Sequence, residues 1–235
     1  MPDPIDLSDL RTGVGFLVGD TTSTSQTDRD RVINEAYIEL ANRRAYWRQR
    51  STTLTLTAGT VAYDLPSGFD SIFRLYYRQS GRYHDVEIVS DSQWLEVSAT
   101  RLADAGYPEY GRVTQTSATL NQVELTPPPS SGFISNVSST LTLEYFIEII
   151  RLSSATDEPI LPANLRHHII PLAAYKYALA QEAFPLANQL KADSVLAKAD
   201  ILKHDLTRTG RPRQLRPRGT YWPAGNGDDL DYGES

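Results

Sequence analysis

An α+β fold, with helices from both chain ends making one bundle and an antiparallel β-barrel or sandwich inserted between them, follows from three observations. Apolar residues recur at helical spacing up to residue 50, alternate with period two from 51 to 151, and return to helical spacing from 152 to 209. The first change of period falls within a few residues, at "NRRAYWRQRSTTLTLTAGTVAYDLP", Asn42 to Pro66. There an arginine-studded helix end runs into a threonine-rich strand with almost no linker, which suits a part that must hold an angle. Residues 210–235 turn to Arg, Pro, Gly and Asp, which cannot build a core, and read as an extended arm. The expected units are therefore 1–50, 51–151, 152–209 and 210–235.

The elements follow in order. Asp6 is placed to cap a short helix carrying Leu7, Leu10, Val14 and Leu17 and ending at Gly19. Gly13 and Gly15 weaken it by about 1 kcal/mol each relative to alanine, and helix packing is the better explanation of both. "GVGFLVG" follows no strand and fits neither phosphate-loop spacing. Thr27 with Asp30 suggests the cap of a second helix, on which Val32, Ile33, Ala36, Tyr37, Leu40, Ala41 and Trp47 share a side while Arg29, Asn34 and Glu35 fall elsewhere.

The sheet begins with a hairpin, Leu54 and Leu56 alternating with threonines, a turn at Ala58-Gly59, then Val61 and Tyr63. "SIFRLYYRQ" and "YHDVEIV" flank a Ser80-Gly81 turn, residues 91–103 suit a short helix or crossing, and "GRVTQTS", "TLNQVELT" and "TLTLEYFIEII" complete the strands around a loop at 126–139. In the closing helices Leu165, Ile169, Leu172, Tyr175 and Leu179 line one face with a second apolar face beside it, so the helix is expected to pack on two sides. Pro171 should kink it or mark a late start. Pro185 opens the last helix, with Leu190, Ala197 and Ile201 inward and Val195, Leu202 and Leu206 flanking.

Composition narrows the chemistry. The 235 residues, 40% hydrophobic and 22% charged, suffice for a sizeable core, and no run of apolar residues is long enough to span a membrane. The start "MPDPIDLSDL" lacks the basic and apolar regions of a secretion signal. Cysteine is absent, which removes disulfides, thiolate nucleophiles and cysteine-bound zinc and is compatible with a reducing cytosol. A net charge of −6 argues against a general nucleic-acid coat. Four lysines stand beside nineteen arginines. Both a GC-rich genome and an interface-rich surface explain that bias.

No catalytic constellation is present. His167 and His168 are adjacent, and neither has a carboxylate at metal-ligand spacing; His84 and His204 stand alone. There is no G-x-S-x-G elbow, and "GDDLDYGES" lacks the glycine and distal glutamate of a calcium loop. No enzyme activity, cofactor or metal is expected. Arg208, Arg211, Arg213, Arg216 and Arg218, stiffened by Pro212 and Pro217, fit either a nucleic-acid arm or an arm laid on another protein and anchored by Tyr221 and Trp222. The acidic residues that follow would partly cancel a DNA-binding field, which favours protein docking.

The stretch "DRDRVINEAYIELANRRAYWRQRSTTLTLTAGTVAYDLPSGFDSIFRLYYRQSG" resembles the head-to-tail adaptor (connector) proteins of tailed bacteriophages, especially the group that includes tail tubular protein A and the adaptors of short-tailed phages. In that family an amphipathic helix ends in a basic-aromatic cluster, here Arg43, Arg44, Tyr46 and Trp47, before a hairpin and a strand. "LRHHIIPLAAYKYALAQ" and "LANQLKADSVLAKADIL" are similar to the family's closing helical pair. The likeness covers most of residues 6–208, by residue class and not by invariant chemistry; the 126–139 loop and the tail have no match.

The resemblance implies a structural ring of twelve copies in the virion neck, assembled in the host cytoplasm. It would be seated between the portal protein and a downstream nozzle or stopper, with genomic DNA passing through without sequence-specific binding and no membrane involved. On this view Tyr46 and Trp47 bury against the start of the sheet, leaving Arg43, Arg44, Arg48 and Arg50 for partners. A plain core tryptophan and a solvated arginine face are the simpler explanations, and both stay open. Two rival functions remain: a receptor- or carbohydrate-binding tail module using Tyr76, Tyr77, Tyr83 and Trp94 as a sugar platform, and a DNA-binding protein using the arginine tail.

Overall fold

The computed structural model describes residues 5–208 apart from positions 23, 43, 44, 102–104 and 116–119. Helix α1 (Leu7–Val18) opens on a reciprocal cap. The Asp6 carboxylate accepts from the Asp9 N–H at 3.0 Å, and Asp9 accepts from the Asp6 N–H at 3.2 Å. It stops at Gly19, whose φ of 68° is one that side chains resist. Gly13 lets it approach its neighbour closely, since a Cβ there would stand 2.7 Å from Ile170 Cδ1. Helix α2 (Gln26–Ala41) begins earlier than its sequence suggests. Ser25 holds the cap position without a side-chain bond, so Thr27 lies inside the first turn. Nor does α2 reach Trp47, which sits in a separate 3₁₀ turn, Tyr46–Arg48.

Among the described residues eight strands and two helices follow: β1 (Gln49–Thr55), β2 (Ala62–Asp64), β3 (Phe69–Gln79), β4 (Arg82–Asp85), β5 (Glu87–Ile88), α3 (Asp91–Arg101), β6 (Tyr110–Gln115), β7 (Asn121–Thr126), α4 (Ser131–Asn136) and β8 (Thr140–Ile147). They form two open four-stranded sheets, β1-β8-β3-β4 and β2-β7-β6-β5, and not a closed barrel. Nor is the sheet wholly antiparallel, because β5 runs parallel to β6. The expected β1–β2 hairpin does not form: β1 pairs with β8 and β2 with β7. Residues 56–61 carry the chain from one sheet to the other, and so Leu54, Leu56 and Tyr63 all face one shared core. "YHDVEIV" divides similarly, with β4 and β5 in different sheets on either side of buried Val86. The Ser80-Gly81 turn is as expected, with both residues at positive φ.

The 126–139 loop contains α4, whose Phe133 is wholly buried between the sheets, capped by the Ser130 hydroxyl at 3.0 Å. After β8, a 3₁₀ turn (Ala163–His168) leads into α5 (Ile169–Ala180) and then α6 (Phe184–Arg208). Pro171 falls in the first turn of α5 and so marks a late start without a kink. Helix α5 packs against α1, α2 and α6, which explains its wide apolar arc. The residues thus gather into two apolar cores. One draws on α1, α2, α5 and α6, from both ends of the chain; the other draws on the sheets and α4. No helix among the described residues is long and apolar enough to cross a membrane.

Candidate interface and the joint between the cores

The chain passes between the two cores at 47–49 and again at 147–152. Because β1 and β8 pair with Gln49 opposite Phe146, the two crossings leave the sheet side by side. Each is fastened by one buried polar side chain. Arg48, only 4% exposed, donates from Nε and Nη2 to the Ile147 carbonyl at 3.0 and 2.8 Å, and from Nη2 to Asp70 at 2.8 Å. The expectation that Arg48 is left for partners is therefore corrected: the guanidinium is spent inside the chain, because the sheet's last carbonyl needs a donor there. At the second crossing Asn34 accepts from the Leu152 N–H at 2.8 Å and donates to the Leu152 carbonyl at 3.0 Å and to the Asp30 carbonyl at 2.9 Å. Asn34 thus belongs to the interior, contrary to its sequence placement.

Around this pair, Trp47 lies in the helical core and meets Tyr46 edge to face at 5.2 Å. Arg50 donates to the Trp47 carbonyl at 3.0 Å. The Tyr37 hydroxyl accepts from the Ile160 N–H at 3.2 Å, and burial raises the pKa of that phenol. Backbone bonds from Leu7 to Asp157 and from Ser8 to Ala155, both 3.0 Å, add a third tie from α1 to the returning chain.

Arg29 is a further buried cation whose placement the sequence does not reveal. It donates to the Asp20 and Thr22 carbonyls at 2.7 and 2.6 Å and to the Ser25 hydroxyl at 2.7 Å, shaping the loop between α1 and α2. In that loop the Asp20 carboxylate, held by hydroxyls of Ser25, Tyr177 and Thr22 and by the Thr22 N–H, lies well below the usual carboxylate pKa. A groove of about 340 Å³ beside it is lined by Ser8, Arg11, Thr12, Thr21, Gln26 and Arg29. Its cations are already committed, Arg29 as above and Arg11 to both Asp30 oxygens at 2.6 and 2.7 Å, so the groove has little charge to offer an anion.

The remaining candidate residues divide as follows. Arg43 and Arg44 lie outside the described residues, as do Arg211, Arg213, Arg216, Arg218, Tyr221 and Trp222; Arg208 is the last residue of α6. The sugar platform is not assembled, because Tyr77 and Trp94 are buried while Tyr76 and Tyr83 lie on the outer face, edge to face at 5.3 Å under Arg74. His84 stacks on Tyr77, and the rings of His167 and His168 stand 3.9 Å apart. Among the described residues no three acidic or histidine side chains gather as a metal site. Exposed apolar side chains are the other surface feature: Phe16 on α1, Val195, Leu196 and Leu202 on α6, and Phe73, Leu95 and Ile150 elsewhere.

Against known proteins, a model of the family described as SU10 adaptor protein matches residues 5–218. Among solved structures, a chain from the neck of an empty GTA particle, computed with C6 symmetry, matches 74% of this chain and 77% of its own at 15% identity. Its TM-score of 0.29 is too low to carry a structural argument. No curated protein sequence matches.

Proposed function

We propose, from the premise that the chain belongs to the SU10 adaptor protein family, that it forms a ring of twelve copies in the neck of a tailed phage. The ring joins the portal protein to the next tail component, a nozzle or stopper. On this reading residues 1–50 and 152–209 act as one helical domain, 51–151 as a β domain, and 210–235 as an arm that docks on the portal or a neighbouring subunit. The role is structural, and no catalytic step is assigned.

The observation that best supports it is the double fastening of the joint by Arg48 and Asn34. A subunit that transmits a fixed geometry between a portal-facing part and a tail-facing part needs such a connection, since copies with a variable angle could not close one ring. The net charge of −6 suits a wall past which DNA slides, because a surface that neutralised phosphates would retain it.

The test is to mix the full chain with purified portal and examine the product by native mass and negative-stain images. A discrete annular complex is expected. A chain that stays monomeric beside portal and tail components alike overturns the reading. Truncation after Thr209 should leave a folded protein that no longer docks, and normal docking by that truncation removes the arm from the proposal.

A further inference from the structure

We propose that Phe16 of one copy seats in an open apolar notch on α6 of the next, which makes the ring contact head-to-tail between two different helices. The inference rests on the adaptor reading and names the surface through which copies meet.

Helix α6 uses one face inside the chain, where Ala187, Leu190, Ser194, Ala197 and Ile201 recur every three or four residues and are buried. A second set lies outside that face. Ala192, Val195, Leu196 and Ala199 stand at i, i+3, i+4 and i+7, all exposed, with Val195 at 58% and Leu196 at 60%. Four residues at that spacing are the corners of the hole that receives a knob when helices interdigitate. Alanine at two corners leaves room for a ring between the valine and the leucine.

Phe16 supplies a knob without a hole of its own. It is 82% exposed, the most exposed of the large apolar side chains among the described residues, on the side of α1 opposite buried Leu7, Leu10 and Val14. Its neighbours on that side, Thr12 and Asp9, are polar and exposed. Helices α1 and α6 both pack on α5 and have no comparable contact with each other. Knob and hole therefore sit on different helices, so one copy can give its knob to one neighbour and its hole to another, the heterologous arrangement that closes a ring; a reciprocal two-fold pair would stop at a dimer and overturn the inference.

A second copy is the occupant the chemistry favours. The chain carries both halves of the contact, and the exposed charges around the notch, Lys191, Asp193, Asp200 and Lys203, balance in sign, which suits a protein face better than a phosphate backbone. Residues 209–235 hold Tyr221 and Trp222 as rival apolar occupants, and truncation after Thr209 separates them from Phe16, since a cross-linked ladder that persists without residues 210–235 excludes the tail and one lost with it overturns the inference.

The absence of native cysteine makes the test clean. Full-length chain carrying both Phe16→Cys and Leu196→Cys should, on mild oxidation of the assembled ring, give a ladder of covalent multimers on a denaturing gel, with neither single variant passing a dimer. Phe16→Asp should keep the circular dichroism and melting of the parent and lose multimers at least tenfold by native mass. Rings that form without the ladder, or a Phe16→Asp protein that assembles like its parent, overturn the inference while portal binding leaves the adaptor reading standing. A cross-link from either cysteine to a different neck protein also overturns it. If the parent neither self-assembles nor binds portal, both readings fall together.

Discussion

The two cores are filled differently. The helical core is rich in small residues, with Ala36, Ala41, Ala173, Ala174, Ala178 and Ala187 buried on the helices and Ala45 buried just before the 3₁₀ turn. Among the described residues the sheet core buries no alanine and relies on Phe69, Tyr77, Phe133 and Tyr145. Geometry explains the difference: helix axes approach to 8–10 Å with the side chains of both between them, and small residues favour the near end of that range, whereas the space between two sheets must be filled by large side chains. Polar burial differs too. The large polar side chains buried among the described residues, Arg29, Asn34 and Arg48, belong to the helical side or the joint, whereas the sheet side buries only the small Ser98 and Thr126. The sheet core is held by volume and the joint by directed hydrogen bonds. A loss of volume should therefore weaken one body, and a loss of a donor should loosen the angle between two.

The largest expected effect is on volume. Phe133→Ala removes the aromatic plug between the sheets, which is wholly buried and touches Tyr77 and Tyr107 edge to face at 4.9 and 5.2 Å. Truncating a buried phenylalanine costs about 3–5 kcal/mol. Denaturant titration measures it, and a cost under about 1 kcal/mol would show that the sheets close without the plug.

Next comes the joint. Arg48→Met keeps much of the side chain's bulk but deletes its bonds to Ile147 and Asp70, at roughly 1.5–3 kcal/mol for hydrogen bonds from a charged donor. A second signature is expected: the helical and sheet signals should unfold together in the parent and separate in Arg48→Met. Arg48→Lys should recover only part of the loss, because an ammonium cannot present the two donors that Ile147 accepts. Coincident transitions in Arg48→Met would refute the idea that this residue couples the two bodies. Asn34→Ala leaves the Leu152 N–H and carbonyl buried without their partner, for about 1–3 kcal/mol. If Asn34→Asp, which keeps only the acceptor, proves as stable as the parent, the donor bonds to Asp30 and Leu152 contribute nothing.

These residues also mark where the sequence stops being legible. The helices could be read from Leu7, Leu10 and Val14 or from Leu190, Ala197 and Ile201, because burial of an apolar face repeats with the helical turn. Asn34 and Arg48 carry no such pattern, since their partners lie 118 and 99 residues away in the chain. For the strands, alternation gives the inward face but not the neighbour, and so β1 and β2 look like a hairpin although they belong to different sheets. Phe133 had one local signal, a lone aromatic three residues after a serine cap within a polar loop. In the candidate interface, Phe16 carries no signal of its own, because the helical repeat of α1 marks only the buried side. Val195, Leu196 and Leu202 look from their spacing like the flank of an ordinary core face.

The smallest expected effect is on pH dependence, and it too separates the bodies. His168, half-buried just before α5, has a pKa lowered first by burial and then by His167; Asp200 on α6 opposes both. A depressed pKa means that the unfolded chain binds the proton more readily, so this contribution is complete above the ordinary histidine value of 6.5 and is lost as pH falls through the lower folded value. Asp20 behaves alike further down: its contribution is complete above 3.8 and is lost only in stronger acid. Both groups are on the helical side. Mild acid should therefore weaken the helical signal before the sheet signal, most visibly in Arg48→Met, where the two are uncoupled. His168→Gln should flatten the stability profile just below pH 6.5 and leave the acid limb in place. Unchanged slopes in His168→Gln would mean that this ring titrates alike in folded and unfolded chains.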